Sequence, residues 1–240
     1  MKYDLVIPCA QKDYVKLSYC IDACKRFLNP QPENIYVVAK DLVRLPGVNF
    51  VQESLIFPFK YNDIDYRRPQ WIYQQMVKLC QDFTVNDNYF CVDADVMFTK
   101  PLDLFEGDQY VFFLTVPQHH QPYFTFMEQV FGLTKQVDHS FIADFTMFNK
   151  QYCREIIPSA EGFLDQINAC VSDECLVGEP EIYGNHLAKN HPGCYVTKQL
   201  KVLQDGKHLP ALYDHTEIEY MLNFFGNRGE YDAIMLHSWS

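Results

Sequence analysis

Asp93 and Asp95 stand two residues apart in the run Val92-Asp93-Ala94-Asp95-Val96. In an extended segment, residues two apart share one face, so both carboxylates point the same way across the small Ala94. Two carboxylates on one face repel unless a cation lies between them. A hard cation does this, and Mg2+ or Mn2+ typically takes one or two carboxylates plus substrate phosphates. The pair directly follows the β-prone run Tyr89-Phe90-Cys91-Val92 and precedes apolar Val96-Met97-Phe98. Ligands of open α/β sheets bind at the carboxyl ends of strands. The competing reading, a solvated Asp-rich turn, fits poorly between two apolar runs.

The elements that must position this pair can be read from periodicity. Tyr3 to Ile7 is a short buried strand ended by Pro8, and Val15 to Phe27 has apolar residues at helical spacing closed by Asn29-Pro30. Ile35 to Ala39 and Asn49 to Val51 read as the next strands, on either side of a Pro46-Gly47 turn. Trp71 to Leu79 is a helix, Tyr89 to Val92 a strand and Tyr110 to Val116 another strand. Further helices are expected around Tyr123 to Phe131, Gln151 to Ile157, Phe163 to Val171, Ile182 to Lys189 and Glu217 to Phe225, with a last strand at Ala233 to Leu236. This order predicts an α/β fold, a mixed but mainly parallel sheet flanked by helices.

With 48% apolar residues in 240, the chain can bury a large core without disulfides. No linker or repeat divides it, so residues 1–240 are expected to form a single domain. The formal net charge of −11 and the lack of a Lys/Arg cluster beyond Arg67-Arg68 exclude a nucleic-acid groove. They do not exclude an anionic nucleotide, whose charge a divalent cation can bridge. The nine cysteines are scattered, with no Cys-x-x-Cys pair, and read as structural thiols. No signal peptide opens the sequence and no apolar run is long enough for a transmembrane segment, which leads to the expectation of a cytoplasmic protein.

A hydrophobic strand, then Asp93-Ala94-Asp95, then Phe98-Thr99-Lys100-Pro101-Leu102-Asp103-Leu104-Phe105 resembles the metal-binding element of GT-A-fold glycosyltransferases. Tyr3-Asp4-Leu5-Val6-Ile7-Pro8-Cys9-Ala10 is similar to the first strand and nucleotide loop of that fold. Arg68 to Leu79 resembles the Gly-Trp-x-x-Gln-Gln-x-x-Lys-Leu helix of a bacterial and viral GT-A-like family. Phe141 to Phe148, Glu179 to Asn185 and His237-Ser238-Trp239 are similar to three more of its blocks, in the same order.

The resemblance implies a Rossmann-like nucleotide-diphospho-sugar transferase with a UDP-linked or other nucleoside-diphosphate donor, a glycan or lipid-linked saccharide acceptor, and Mn2+ or Mg2+ as cofactor. Asp93 would lie near the ribose and metal, Asp95 would bind the metal, and His237 would be a third ligand or else part of a frayed tail. Pro8, Ala10, Arg67, Arg68, Gln75 and Lys78 would contact the donor. An inverting enzyme also needs a carboxylate base. Asp144, set in an apolar run, and Glu181 are the preferred candidates among Asp144, Asp173, Glu174, Glu179 and Glu181. His119-His120 reads as a loop, because metal-binding pairs are usually spaced for one face. Two alternatives stay open: a metal-dependent sugar-phosphate nucleotidyltransferase, against which Pro8 to Lys12 offers no glycine, and a non-catalytic nucleotide- or glycan-binding module.

Overall fold

The computed structural model describes residues 1–115, 119–205 and 214–237. Strand β1 (Asp4–Pro8) leads through a 3-10 turn into helix α1 (Tyr14–Phe27), followed by β2 (Ile35–Ala39) and β3 (Asn49–Gln52). Helix α2 (Pro69–Cys80), with Pro69 at its first turn, precedes β4 (Asn88–Val92), β5 (Val96–Phe98) and β6 (Gln109–Leu114). Then come α3 (Gln121–Phe131), β7 (Phe145–Asn149), α4 (Lys150–Ile156), α5 (Ala160–Cys170) and α6 (Glu179–Asn190). Strands β8 (Tyr195–Gln199) and β9 (Val202–Asp205), helix α7 (His215–Met221) and β10 (Ala233–Leu236) complete the order.

The main sheet has five strands in the order β7-β4-β1-β2-β3, with β7 antiparallel to β4 and the remaining pairs parallel. Its central strands are buried on both faces, as parallel strands covered by helices must be. In β1, Leu5 and Ile7 join the core shared with α1, β5 and β10, whereas Val6 joins the core shared with α2, α3, α5 and α6. A second sheet pairs β8 with β6 in parallel, and a third places β10 between β9 and β5. The mixed, mainly parallel α/β architecture is therefore the one the alternating pattern predicts.

Differences fall at ends and short strands. The expected strand Tyr110 to Val116 ends at Leu114, and Val116 lies outside the described residues. The last expected helix stops as an α-helix at Met221 and continues as a π-helical turn, Leu222–Gly226. All nine cysteines are free, and Cys9, Cys20, Cys24, Cys91, Cys153 and Cys175 are buried. No helix among the described residues is long and apolar enough to cross a membrane.

Candidate active site

Two strand pairings assemble the acid cluster. In the β4–β7 register Val92 faces Phe145, so the next residue of one strand, Asp93, meets the preceding residue of the other, Asp144. The Asp93 amide donates to the Asp144 carbonyl at 2.9 Å. The β5–β10 register pairs Val96 with Met235, and the Leu236 amide donates to the Asp95 carbonyl at 2.9 Å. This delivers His237 to the same place, and its Nε2 lies 3.1 Å from Asp144 Oδ2. Lys16 on α1 secures the end of β10 from behind: its ammonium donates to the Leu236 carbonyl and to Asp13 Oδ1, both at 2.7 Å.

Lys78 is the cation embedded in this cluster. Its Nζ lies 2.9 Å from both Asp93 Oδ1 and Glu179 Oε1, with Lys78 and Glu179 almost wholly buried and Asp93 about a quarter exposed (24%). Burial works against the ammonium, but the two carboxylates outweigh it and hold its pKa above the usual lysine value. One turn earlier on α2, Gln74 Nε2 approaches the same Asp93 oxygen at 3.5 Å.

Asp95 is pushed up to about 7, first by burial and then by the charge of Asp93, with His237 acting in the opposite sense. For His237, burial lowers the pKa, but the hydrogen bond to Asp144 and the charges of Asp144, Asp95 and Asp93 raise it further than burial lowers it. Four carboxylates, Asp93, Asp95, Asp144 and Glu179, served by one buried ammonium and one imidazole, are still short of positive charge. That donor set fits a hard divalent cation. Asp93, Asp95 and His237 do not have donor atoms all within 4.8 Å of one another; among the described residues the one such trio lies elsewhere. In this arrangement the His237 ring is turned onto Asp144.

Beside the cluster a cavity of about 530 Å³ opens at the carboxyl ends of β1 and β2. Pro8 to Lys12 form its floor, Val38, Lys40 and Glu53 one wall, and Gln70, Trp71, Tyr73, Gln74 and Val77 of α2 the other, with Arg67 and Arg68 at the helix entrance. Four cations, Lys12, Lys40, Arg67 and Arg68, line it against a single carboxylate, Glu53. The local charge is thus opposite to that of the whole chain. The Arg68 guanidinium lies 5.2 Å from the Trp71 ring centre, while Arg67 is largely exposed and pairs with Asp173 at 3.0 Å. Tyr73 is fixed by donating its hydroxyl to the Glu53 carbonyl at 2.7 Å.

Pro8, Ala10, Arg67 and Arg68 therefore line one cavity, and Lys78, Asp93, Asp95, Asp144 and His237 form one cluster. Two sequence-picked residues lie off this site. Gln75 is buried, and it is Gln74 that faces the cavity and Asp93. Glu181 is fully buried with its carboxylate already committed: Ser140 Oγ donates to it at 2.6 Å, the Phe141 amide at 3.0 Å and Asn185 Nδ2 at 2.9 Å. It buttresses the segment leading into Asp144, and its neighbour Glu179 is the acid that reaches the cluster. His119 hydrogen-bonds Gln121 at 3.1 Å and His120 packs on Tyr123, both in the loop before α3. Ser238 to Ser240 lie outside the described residues.

Known proteins place this geometry in context. An active-site mutant of LgtC superposes with a TM-score of 0.51 at 13% identity, over 99% of this chain and 88% of that one. WbbM, a bifunctional glycosyltransferase, superposes with a TM-score of 0.55 at 12% identity, over 100% of this chain but 46% of its own. The chain thus spans less than half the length of WbbM. At such identities the likeness is one of fold, and the fold is GT-A. No curated protein sequence matches the chain. A family model described as a family of unknown function, DUF6492, matches residues 23–183, a stretch that includes α2, the acid pair, Asp144 and Glu179, and the chain belongs to that family.

Proposed function

We propose that this protein is a metal-dependent glycosyltransferase that moves a sugar from a nucleoside-diphosphate sugar, UDP-linked in the simplest reading, to a hydroxyl of a glycan or lipid-linked saccharide. The observation that carries the reading is the juxtaposition of a cation-lined cavity with an under-neutralised acid cluster at the strand ends. A nucleoside diphosphate needs both features: cations for its phosphates, and a carboxylate-held metal that bridges them to the protein.

Asp93 and Asp95 would hold Mn2+ or Mg2+, with Lys78 fixing Asp93 in place. Such an ion supplies Lewis-acid stabilisation of the charge that builds on the leaving diphosphate. Arg68, Lys12 and Lys40 would contact the phosphates from the cavity side, and the Trp71 and Tyr73 rings would flank the nucleoside. Asp144, oriented by His237, is the carboxylate best placed to take a proton from an acceptor hydroxyl. The absence of glycine from Pro8 to Lys12 disfavours a nucleotidyltransferase, which would cradle a triphosphate with a flexible loop.

Incubation with a panel of nucleotide sugars and Mn2+ or Mg2+ tests this reading by release of free nucleoside diphosphate. Slow metal-dependent hydrolysis of one donor is the expected result. Binding without turnover for every donor would identify a binding module instead, and turnover of a sugar phosphate with a nucleoside triphosphate would identify a nucleotidyltransferase.

A further inference from the structure

A second cluster of metal-ligating side chains lies away from the cavity. Glu155 comes from α4, His186 from the C-terminal half of α6, and His191 is the residue immediately after α6. Both imidazole Nε2 atoms face one carboxylate oxygen, Glu155 Oε2, at 3.1 Å for His186 and 2.7 Å for His191. The three donor atoms lie within 4.8 Å of one another.

The surroundings hold each ligand in this orientation. His186 Nδ1 is 3.1 Å from Asn190 Nδ2, and the His191 ring packs on Tyr152 with centroids 4.4 Å apart. Glu155 Oε1 accepts from Gln151 at 3.4 Å, leaving Oε2 to the histidines. Such contacts on the far side of each ligand are what fix ring direction in metal sites. Side-chain exposures of 14% to 34% leave an approach from solvent.

We propose that Glu155, His186 and His191 form a binding site for Zn2+ or a similar borderline divalent cation, with water as the fourth ligand, that clamps α4 to α6. Two imidazoles and one carboxylate with an open position are a ligand set that zinc takes tetrahedrally, at about 2.0–2.2 Å per bond. The ion would replace the two N–H protons now shared with Glu155, and Oε2 and the two Nε2 atoms, now 3.1 and 2.7 Å from it, would open slightly to the roughly 3.3 Å separation of tetrahedral ligands. Imidazole ligands favour zinc over the harder Mg2+ and Mn2+, which take the all-oxygen partners offered by the acid pair. The two sites would thus sort cations by hardness. They also share α6, which begins at Glu179 in the acid cluster and, at about 1.5 Å per residue, carries His186 roughly 10 Å and His191 roughly 18 Å along its axis.

Equilibrium dialysis of the full chain against chelator-buffered Zn2+, with Mg2+ in excess at the acid pair, tests the site. Zinc per chain is measured for the wild type and for His186→Gln, His191→Gln, Glu155→Gln and Asp95→Asn. The expected result is one tightly bound zinc in the wild type and in Asp95→Asn, with affinity lowered at least about 100-fold in each variant of the trio. Zinc should also raise the Tm of the wild type and leave that of His191→Gln unchanged. If a histidine variant fails to fold, Glu155→Gln, which keeps a hydrogen-bond acceptor for both rings, carries the same comparison. The wild type binding no zinc at micromolar concentration would overturn the proposal, as would the trio variants binding it within about threefold of the wild type. The cluster would then be a hydrogen-bonded helix contact alone.

Discussion

With Lys78 replaced by methionine, Asp93 and Glu179 would each lose a charged partner 2.9 Å away while staying largely buried. Removing one member of a buried ion pair is costly because it strands the charge left behind. Lys78→Met should therefore lower unfolding free energy by about 3–5 kcal/mol, read from urea denaturation. Arg67→Ala, which breaks a pair that solvent screens, should leave it nearly unchanged. Comparable losses in the two variants would remove Lys78 from the role given to it here. His139 supplies a pH-dependent case. Its Nε2 is buried without a hydrogen-bond partner, and burial, followed by the charge of Lys135, lowers its pKa below the usual histidine value. The unfolded chain then binds the proton more readily than the folded one. Stability should accordingly fall as pH drops through the unfolded value and level off below the folded one. His139→Phe, which keeps the ring against Phe141, should lose less of its urea midpoint than the wild type on going from about pH 8 to about pH 5. Parallel losses would show that the acid sensitivity arises elsewhere.

Helix α6 shows at the scale of an element what sequence can and cannot convey. The expected stretch Ile182 to Lys189 is helical, and the helix starts three residues earlier at Glu179, with Pro180 and both acids in its first turn. Which acid faces the site was not legible, because Glu179 and Glu181 lie about 200° apart on a helix. Only the packing of α6 against α2 decides that Glu179 meets Lys78 while Glu181 turns to Ser140 and Asn185. Gln74 and Gln75 pose the same problem about 100° apart, and the four-residue step from Gln74 to Lys78 puts those two on one face. The packing of α6 can be tested directly. Gly184 sits where any Cβ would overlap the Phe141 ring. Gly184→Ala should destabilise the fold by about 1–3 kcal/mol despite the better helix propensity of alanine. A neutral or stabilising effect in thermal unfolding would mean that the α6–Phe141 contact is looser than described.

At the scale of the whole molecule, the strands that carry the site were readable because parallel strands buried on both faces appear as continuous apolar runs. Asp93 and Asp95 were found for that reason, at the end of β4. The meeting of His237 with Asp144, 93 residues apart in the chain, was not readable, because it depends on strand registers that no local pattern encodes. Nor was the positive cavity within a chain of net charge −11, since Lys12, Lys40, Arg67 and Arg68 converge only after β1, β2 and α2 pack together. These pieces meet at Gln74, which lines the cavity and approaches Asp93 at 3.5 Å. The most direct measurement is metal-dependent release of nucleoside diphosphate from a donor sugar by Asp95→Asn, beside the wild type and an excess of chelator. Turnover should fall at least about 100-fold in the variant and vanish with chelator, while the circular dichroism and Tm of the variant stay near those of the wild type. Full turnover by Asp95→Asn, or turnover indifferent to chelator, would contradict the metal-dependent mechanism.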